Sequence, residues 1–218
     1  MSKLRVHNFC ISLDGFGAGP RQDLEHPIGV GGHALHGWIF DTAYGRSMIG
    51  KSSGSTGLDD GMLRDGDENI GATIMGRNMF GPIRGPWDSD DAARAWRGWW
   101  GETPPYHHDV FVLTHHAREP LAMDGGTTFH FVTDGPLAAL ERARQAAAGA
   151  DIRLGGGVGT VRDYIERGLV DTIHLAVVPV LLGSGERLFE NDWSAAGYQC
   201  TEFEASDEVI HVQLVRQR

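Results

Sequence analysis

A short apolar run, Ile152-Arg153-Leu154, passes directly into Gly155-Gly156-Gly157-Val158-Gly159-Thr160. A helical pattern begins at once, with Val161, Tyr164, Ile165 and Leu169 at helical spacing and Gly168 near its stop. A second apolar run, Thr172 to Leu182, follows. Strand, helix and strand in this order imply a parallel pair joined by a crossover, which places the chain among α/β folds. Three consecutive glycines would let a ligand's phosphates approach the backbone. The helix start supplies free N–H donors and partial positive charge, and Thr160 is placed to cap or donate. The same glycines also suit a plain tight turn. The motif is not a Walker loop, because no Gly-Lys-Ser/Thr follows. It is not a Rossmann fingerprint either, because Asp171 opens the next strand instead of closing it.

The rest of the chain extends this pattern. Leu4 to Leu13 reads as a first strand, ended by the turn formers Asp14 to Pro20. Residues 21–71 are the least regular, with helices expected near Ala34–Arg46 and Asp59–Glu68. Ala72 to Met75 suits a buried strand ending at Gly76. Asn78 to Glu102 holds Trp87, Trp96, Trp99 and Trp100 and reads as loops around a short helix. The tryptophans suit either core or a stacking wall for a flat ligand. Asp109–Thr114 and Thr128–Thr133 are strands. Pro136 to Ala148 is a helix with Leu137, Leu140, Ala143 and Ala147 on one stripe and Gly149 as stop. Thr172 to Leu182 reads as one long strand interrupted by Pro179. Tyr198–Glu204 and Val209–Val215 form a closing antiparallel hairpin. No repeat or linker divides residues 1–218, so one domain with a mixed, mainly parallel sheet is expected.

Composition narrows the function. Glycine accounts for 31 of 218 residues, about twice the usual share, yet 41% apolar residues support a folded core. A net charge of −10 argues against nucleic-acid and anionic-membrane partners. Two cysteines, Cys10 and Cys200, make neither a disulfide framework nor a zinc set. The N-terminus lacks a signal-peptide pattern, and no apolar run approaches membrane-spanning length, so a cytoplasmic protein is expected.

Several candidates for chemistry remain. Gly76-Arg77 ends a strand, where Arg can bind phosphate bidentately. Thr114-His115-His116 ends another. Asp14, in Ser12-Leu13-Asp14-Gly15, either presents a carboxylate to substrate or makes an Asp-Gly turn. The 11 histidines include the pair His33 and His36 and the doublets His107-His108 and His115-His116. None forms a zinc motif, so no metal is expected. The hairpin leaves a sheet edge, and alternating Val209, His211, Gln213 and Val215 could face a second copy.

These pieces together resemble a known family. Ser12-Leu13-Asp14-Gly15, Met75-Gly76-Arg77, Val112-Leu113-Thr114, Gly155-Gly156-Gly157, Val170-Asp171 and Pro179-Val180-Leu181-Leu182-Gly183-Ser184-Gly185 with Leu188-Phe189 occur in the order found in the dihydrofolate-reductase-like superfamily. The chain is most similar to the C-terminal reductase domain of the bifunctional riboflavin-biosynthesis deaminase–reductase and its stand-alone relatives. The resemblance implies a three-layer α/β fold, with a mixed, mainly parallel sheet flanked by helices and NADPH across the strand ends. It implies hydride transfer to a small heterocycle, pterin- or pyrimidine-like, or to a carbonyl compound. By resemblance, Gly76 and Arg77 meet the adenosine phosphates, and Thr114 and His115 lie near the 2′-phosphate and adenine. Gly155, Gly156, Gly157, Val158, Gly159 and Thr160 hold the pyrophosphate, with a cis peptide between two of the glycines. Asp14 faces the nicotinamide or substrate as the catalytic carboxylate, and the protein is a homodimer.

The sequence also departs from that family. Met79 stands where dihydrofolate reductases carry a phosphate-binding Thr. The carboxylate that anchors a pterin has Asp41 as its nearest match, and the deaminase half has no counterpart in these residues. The insertion at 17–71 and the Trp-rich stretch would reshape the acceptor pocket. A non-catalytic NADPH-binding or redox-sensing protein, and a His-rich metal hydrolase, are the rival readings.

Overall fold

The computed structural model describes residues 2–190 and 196–217. In chain order the first half holds β1 (Leu4–Ser12), β2 (Phe16–Ala18), α1 (Gly37–Asp41), α2 (Ala43–Met48), α3 (Leu58–Asp67), β3 (Ile70–Gly76), α4 (Arg77–Phe80) and α5 (Asp91–Ala95). The second half holds β4 (Asp109–Leu113), β5 (Leu121–Ala122), β6 (Thr128–Val132), α6 (Pro136–Ala147), β7 (Asp151–Gly156), α7 (Val158–Glu166), β8 (Thr172–Val178), β9 (Glu186–Arg187), β10 (Tyr198–Ala205) and β11 (Ile210–Arg216). Nine strands form one sheet in the order β10-β11-β8-β1-β7-β3-β4-β6-β5. The middle, β8 to β6, is parallel, and the two margins are antiparallel. β2 and β9 make a separate two-stranded ribbon. Among the described residues no helix is long and apolar enough to cross a membrane.

Alternation along the central strands sends apolar side chains to both faces, as a doubly covered sheet requires. Leu4, Val6, Ile74, Phe111, Ile152, Leu154 and Leu175 pack under α6 and α7 with Leu140, Val161, Tyr164 and Ile165. On the other face Cys10, Ala176 and Val178 pack with Leu35, Trp38 and Leu63. Farther along that face Met75, Val110, Val112, Phe129 and Phe131 pack with Phe80 and Trp87. Trp87 is thus a core residue.

Four expectations are corrected. The helix foreseen over 34–46 is a 3-10 turn, Gly32–Leu35, followed by α1 and α2. Thr42 breaks it: its backbone is extended, its hydroxyl donates to Ile39 O at 2.7 Å, and it accepts from Gly45 N at 2.9 Å. Leu137 is 60% exposed, and Ala139 takes its place on the buried stripe of α6. The strand foreseen to Leu182 stops at Val178, before Pro179, which has no N–H for a ladder. Val209 and His211 do not face outward. Both are buried in this chain's own core, and the exposed strand is β10, with Phe203 75% exposed.

α3 docks on the sheet through polar contacts at both ends. Near its C-terminus the sheet supplies donors to four carbonyls. His7 Nε2 reaches Met62 O at 3.2 Å, and Arg5 reaches Asp65 O at 2.8 Å and Glu68 O at 3.0 Å. Arg153 reaches Gly66 O and pairs with Asp67. Cations here satisfy orphan carbonyls and oppose the negative helix end. In the first turn Asp59 accepts from His211 Nε2 at 2.9 Å.

Candidate active site

The C-terminal ends of β3, β4 and β7 meet the N-terminus of α7, the position at which open α/β sheets bind ligands. Gly155 and Gly156 close β7, with Gly156 paired to Met75 of β3. Gly156 has φ +132°, a value that disfavours side chains, and the Gly156–Gly157 peptide is cis. Gly157 is the N-cap of α7 and offers no side-chain cap. The N–H groups of Val158, Gly159 and Thr160 therefore open the helix without intrahelical partners. The space that side chains at Gly157 or Gly159 would enter is empty to 4 Å, so the turn is open on that side. Val158 contributes backbone only, because its side chain is buried against Gly17.

Gly76 joins this turn to a second group of residues. A Cβ at Gly76 would run into Thr160 Oγ1, so the close approach of β3 to α7 requires glycine there. Beside the junction lies a cleft of about 430 Å³ whose lining includes Gly76, Arg77, Arg84, Thr114, His115 and Thr160. The expected cofactor residues at 76, 77, 114, 115 and 160 thus share one cleft, and those at 155–159 adjoin it.

Arg77 dominates the electrostatics. Its guanidinium lies 3.3 Å from the centre of the Trp87 ring, a cation–π contact. Nη1 donates to Thr114 Oγ1 at 3.2 Å, and Nη2 donates to Gly85 O at 3.0 Å. Nε is buried with no partner. Burial, and then the neighbouring Arg84 and Arg118, lower the guanidinium to about 10, so it stays charged at neutral pH. Asp163, also on the cleft wall, pairs with Arg167 at 2.9 Å. The cleft is a preorganised cationic pocket inside a protein of net charge −10. The arrangement fits an anionic dinucleotide: glycine-lined room for a pyrophosphate, helix N–H donors, and a stacked arginine on the cleft wall.

Asp14 sits elsewhere. Its carboxylate accepts from Ser12 Oγ at 2.6 Å, Leu182 N at 3.1 Å and Gly183 N at 2.7 Å. These bonds, Ser12 first, hold the carboxyl down at about 2. Such a group is ionised at neutral pH and fastens the loop after β8 to the end of β1; it is a poor proton donor. Arg84 and Phe9 were not foreseen as site residues; Trp87, which suits core or a stacking wall for a flat ligand, packs in the core and carries Arg77. Phe9 places its ring 3.5 Å from where a Gly156 side chain would start, and Met79 brings its sulfur to 3.3 Å from the same point. The Arg84-Gly85-Pro86 run has no period or motif that would have marked Arg84.

A profile of the RibD C-terminal domain matches residues 5–212. The chain belongs to the RibD C-terminal domain family. Family membership makes it a reductase-type domain. A riboflavin-biosynthesis protein from Shewanella sp. PV-4 shares the fold at TM-score 0.60 and 21% identity, with both chains fully covered. A pyrimidine reductase-like protein from Corynebacterium diphtheriae aligns at TM-score 0.54 and 12% identity, over 100% of this chain and 92% of the other. RibD of Acinetobacter baumannii aligns at TM-score 0.53 and 17% identity, and this RibD C-terminal domain spans 59% of that longer protein. At these identities the likeness is one of fold. No curated protein matches the sequence.

Proposed function

We propose that this RibD C-terminal domain is an NADPH-dependent reductase acting on a small heterocyclic, pterin- or pyrimidine-like, or carbonyl acceptor. The observation that carries the reading is the continuity between the cationic cleft and the glycine turn at the start of α7. Gly155, Gly156, Gly157 and the N–H groups of Val158, Gly159 and Thr160 would receive the pyrophosphate. Arg77, stacked on Trp87, would take a phosphate at the adenosine end, with Arg84, Thr114 and His115 beside it. When bound, the nicotinamide supplies the hydride. The chain's own part is to hold the dinucleotide extended along the strand ends and to keep water from the acceptor face.

Calorimetry with NADPH and NADH tests this reading. A charge-assisted hydrogen bond to the extra phosphate is worth about 1.5–3 kcal/mol, so NADPH should bind roughly 10–150-fold more tightly. Arg77→Ala should remove most of that preference while leaving a folded protein. Equal affinities for both cofactors in the unaltered protein would overturn the assignment. Oxidation of bound NADPH by at least one member of a panel of pterins, pyrimidinones and carbonyl compounds separates an enzyme from a cofactor-binding sensor.

A further inference from the structure

β1 carries a bulge. Its register against β8 shifts between Val6 and Phe9, and Asn8 adopts φ +55°. A bulge removes one N–H from the ladder. That N–H, on Asn8, donates to Nδ1 of His174 at 3.1 Å. With Nδ1 accepting, the His174 proton is on Nε2, which donates to His211 Nδ1 at 3.0 Å. The His211 proton is then on Nε2, which donates to Asp59 at 2.9 Å. One chain of hydrogen bonds, all in the same direction, runs from the bulge to helix α3. His174 is 2% exposed and His211 is fully buried, so the central link is shielded from competing water, and the two outer links are partly buried.

The next residue after the bulge is Phe9. Its ring lies 3.5 Å from where a side chain at Gly156 would start and 3.0 Å from the same point at Gly17. The bulge sets the direction in which Phe9 points, and Phe9 is the wall behind the glycine turn.

We propose that His174 is a positioning residue for the cofactor turn: it holds the β1 bulge, and through Phe9 the bulge holds Gly156. This rests on the reading of the turn as the pyrophosphate cradle. Neither histidine touches the cleft, and the pair does not have to titrate. His174 is needed as an acceptor and a donor on one rigid plane, and His211 and Asp59 fix which nitrogen does which.

Two variants of the full chain test it, with hydrogen–deuterium exchange of peptides covering 7–11 and 155–157 and with NADPH calorimetry. His174→Leu keeps the bulk and loses both hydrogen-bonding atoms. It should raise exchange in both peptides and weaken NADPH about tenfold, the scale of coupling within a hydrogen-bond network. His174→Gln restores an acceptor and a donor, and should recover most of the protection and the affinity. A folded Leu variant with faster exchange at 7–11 but unchanged exchange at 155–157 and unchanged affinity would overturn the proposal. So would a Gln variant no better than Leu. If the unaltered protein binds no NADPH, the cofactor reading fails, and exchange at 155–157 alone decides whether His174 positions the turn. Should the Leu variant not fold, Asp59→Ala unties the same chain at its outer end. It should shift both peptides in the same direction, and no shift in either would overturn the proposal.

Discussion

Gly156 bears two constraints at once. Its φ of +132° is a conformation that a β-branched residue enters at a cost of about 1–3 kcal/mol. A side chain there would also press on Phe9 and the Met79 sulfur. Gly156→Val should therefore lower the melting temperature and abolish NADPH binding. Circular dichroism comes first, to show that the variant is folded. A folded Gly156→Val protein that binds NADPH normally would place the cradle elsewhere. Much of this site was legible, because glycines at a strand–helix junction and an arginine after Gly76 have physical reasons to be where they are. Asp14 shows the limit. From sequence, an Asp-Gly pair suits a turn or a substrate contact equally well. The fold adds what no local pattern holds: the loop at Leu182 and Gly183, about 170 residues away, donates two N–H groups to the carboxylate. Trp87 was ambiguous for a related reason: one face packs in the core and the other carries Arg77.

Among the elements, the helices and strands of the second half lie where their patterns place them, except at Leu137, the end of β8 and the outward side of β11, while the stretch after β2 departs more widely. Local pattern reads α6 because its stripe, its N-terminal proline and its stop lie within one segment. It misreads 34–46 because Thr42 turns its hydroxyl on Ile39 O and Gly45 N and breaks the helix. It misses most of the docking of α3, since the helix buries only the short apolar pair Met62 and Leu63 and is otherwise held by Arg5, His7, Arg153 and His211. α6 also offers a test. Its C-cap, Ala148, takes a left-handed conformation with φ 48°. Glycine adopts that conformation without a Cβ clash. Ala148→Gly should stabilise the protein by about 0.5–1 kcal/mol, the net of relieved strain and added chain entropy. Urea unfolding with an unchanged slope and a higher midpoint is the expected result, and a lower midpoint would refute it.

Over the whole molecule, buried histidines make stability depend on pH. Burial lowers His7, His36 and His108 from 6.5 to about 4, and His174 to about 2. Between about pH 6.5 and pH 4 the unfolded chain therefore binds more protons than the folded one. Stability is fully present above that window and falls as the solution is acidified through it. Each well-shielded ring contributes a slope of up to about 1.4 kcal/mol per pH unit, and the more exposed His108 contributes less. Melting temperatures should be level near pH 7.5 and drop steeply between about pH 6 and pH 5. A level profile down to about pH 4.5 would refute this. A homodimer is expected at the β10 margin. That edge strand is exposed along nearly its whole length and ends the sheet, with Phe203 offering an apolar contact between Glu202 and Glu204. Sedimentation should show two chains per particle, with Phe203→Lys shifting the protein to one; a monomeric unaltered protein would remove the proposal.

The strand order also bears on how the chain is made. β1 lies between β7 and β8, so once it leaves the ribosome it has no ladder partner until residues near 151–178 emerge. At about 5–20 residues per second, that is roughly ten to thirty seconds with an apolar strand unpaired. β3, β4 and β6 pair with one another and can assemble meanwhile. Newly made chains should therefore depend on holdase chaperones until α7 and β8 arrive. Nascent chains arrested before β7 should bind such chaperones, and chains arrested well past β8 should let them go.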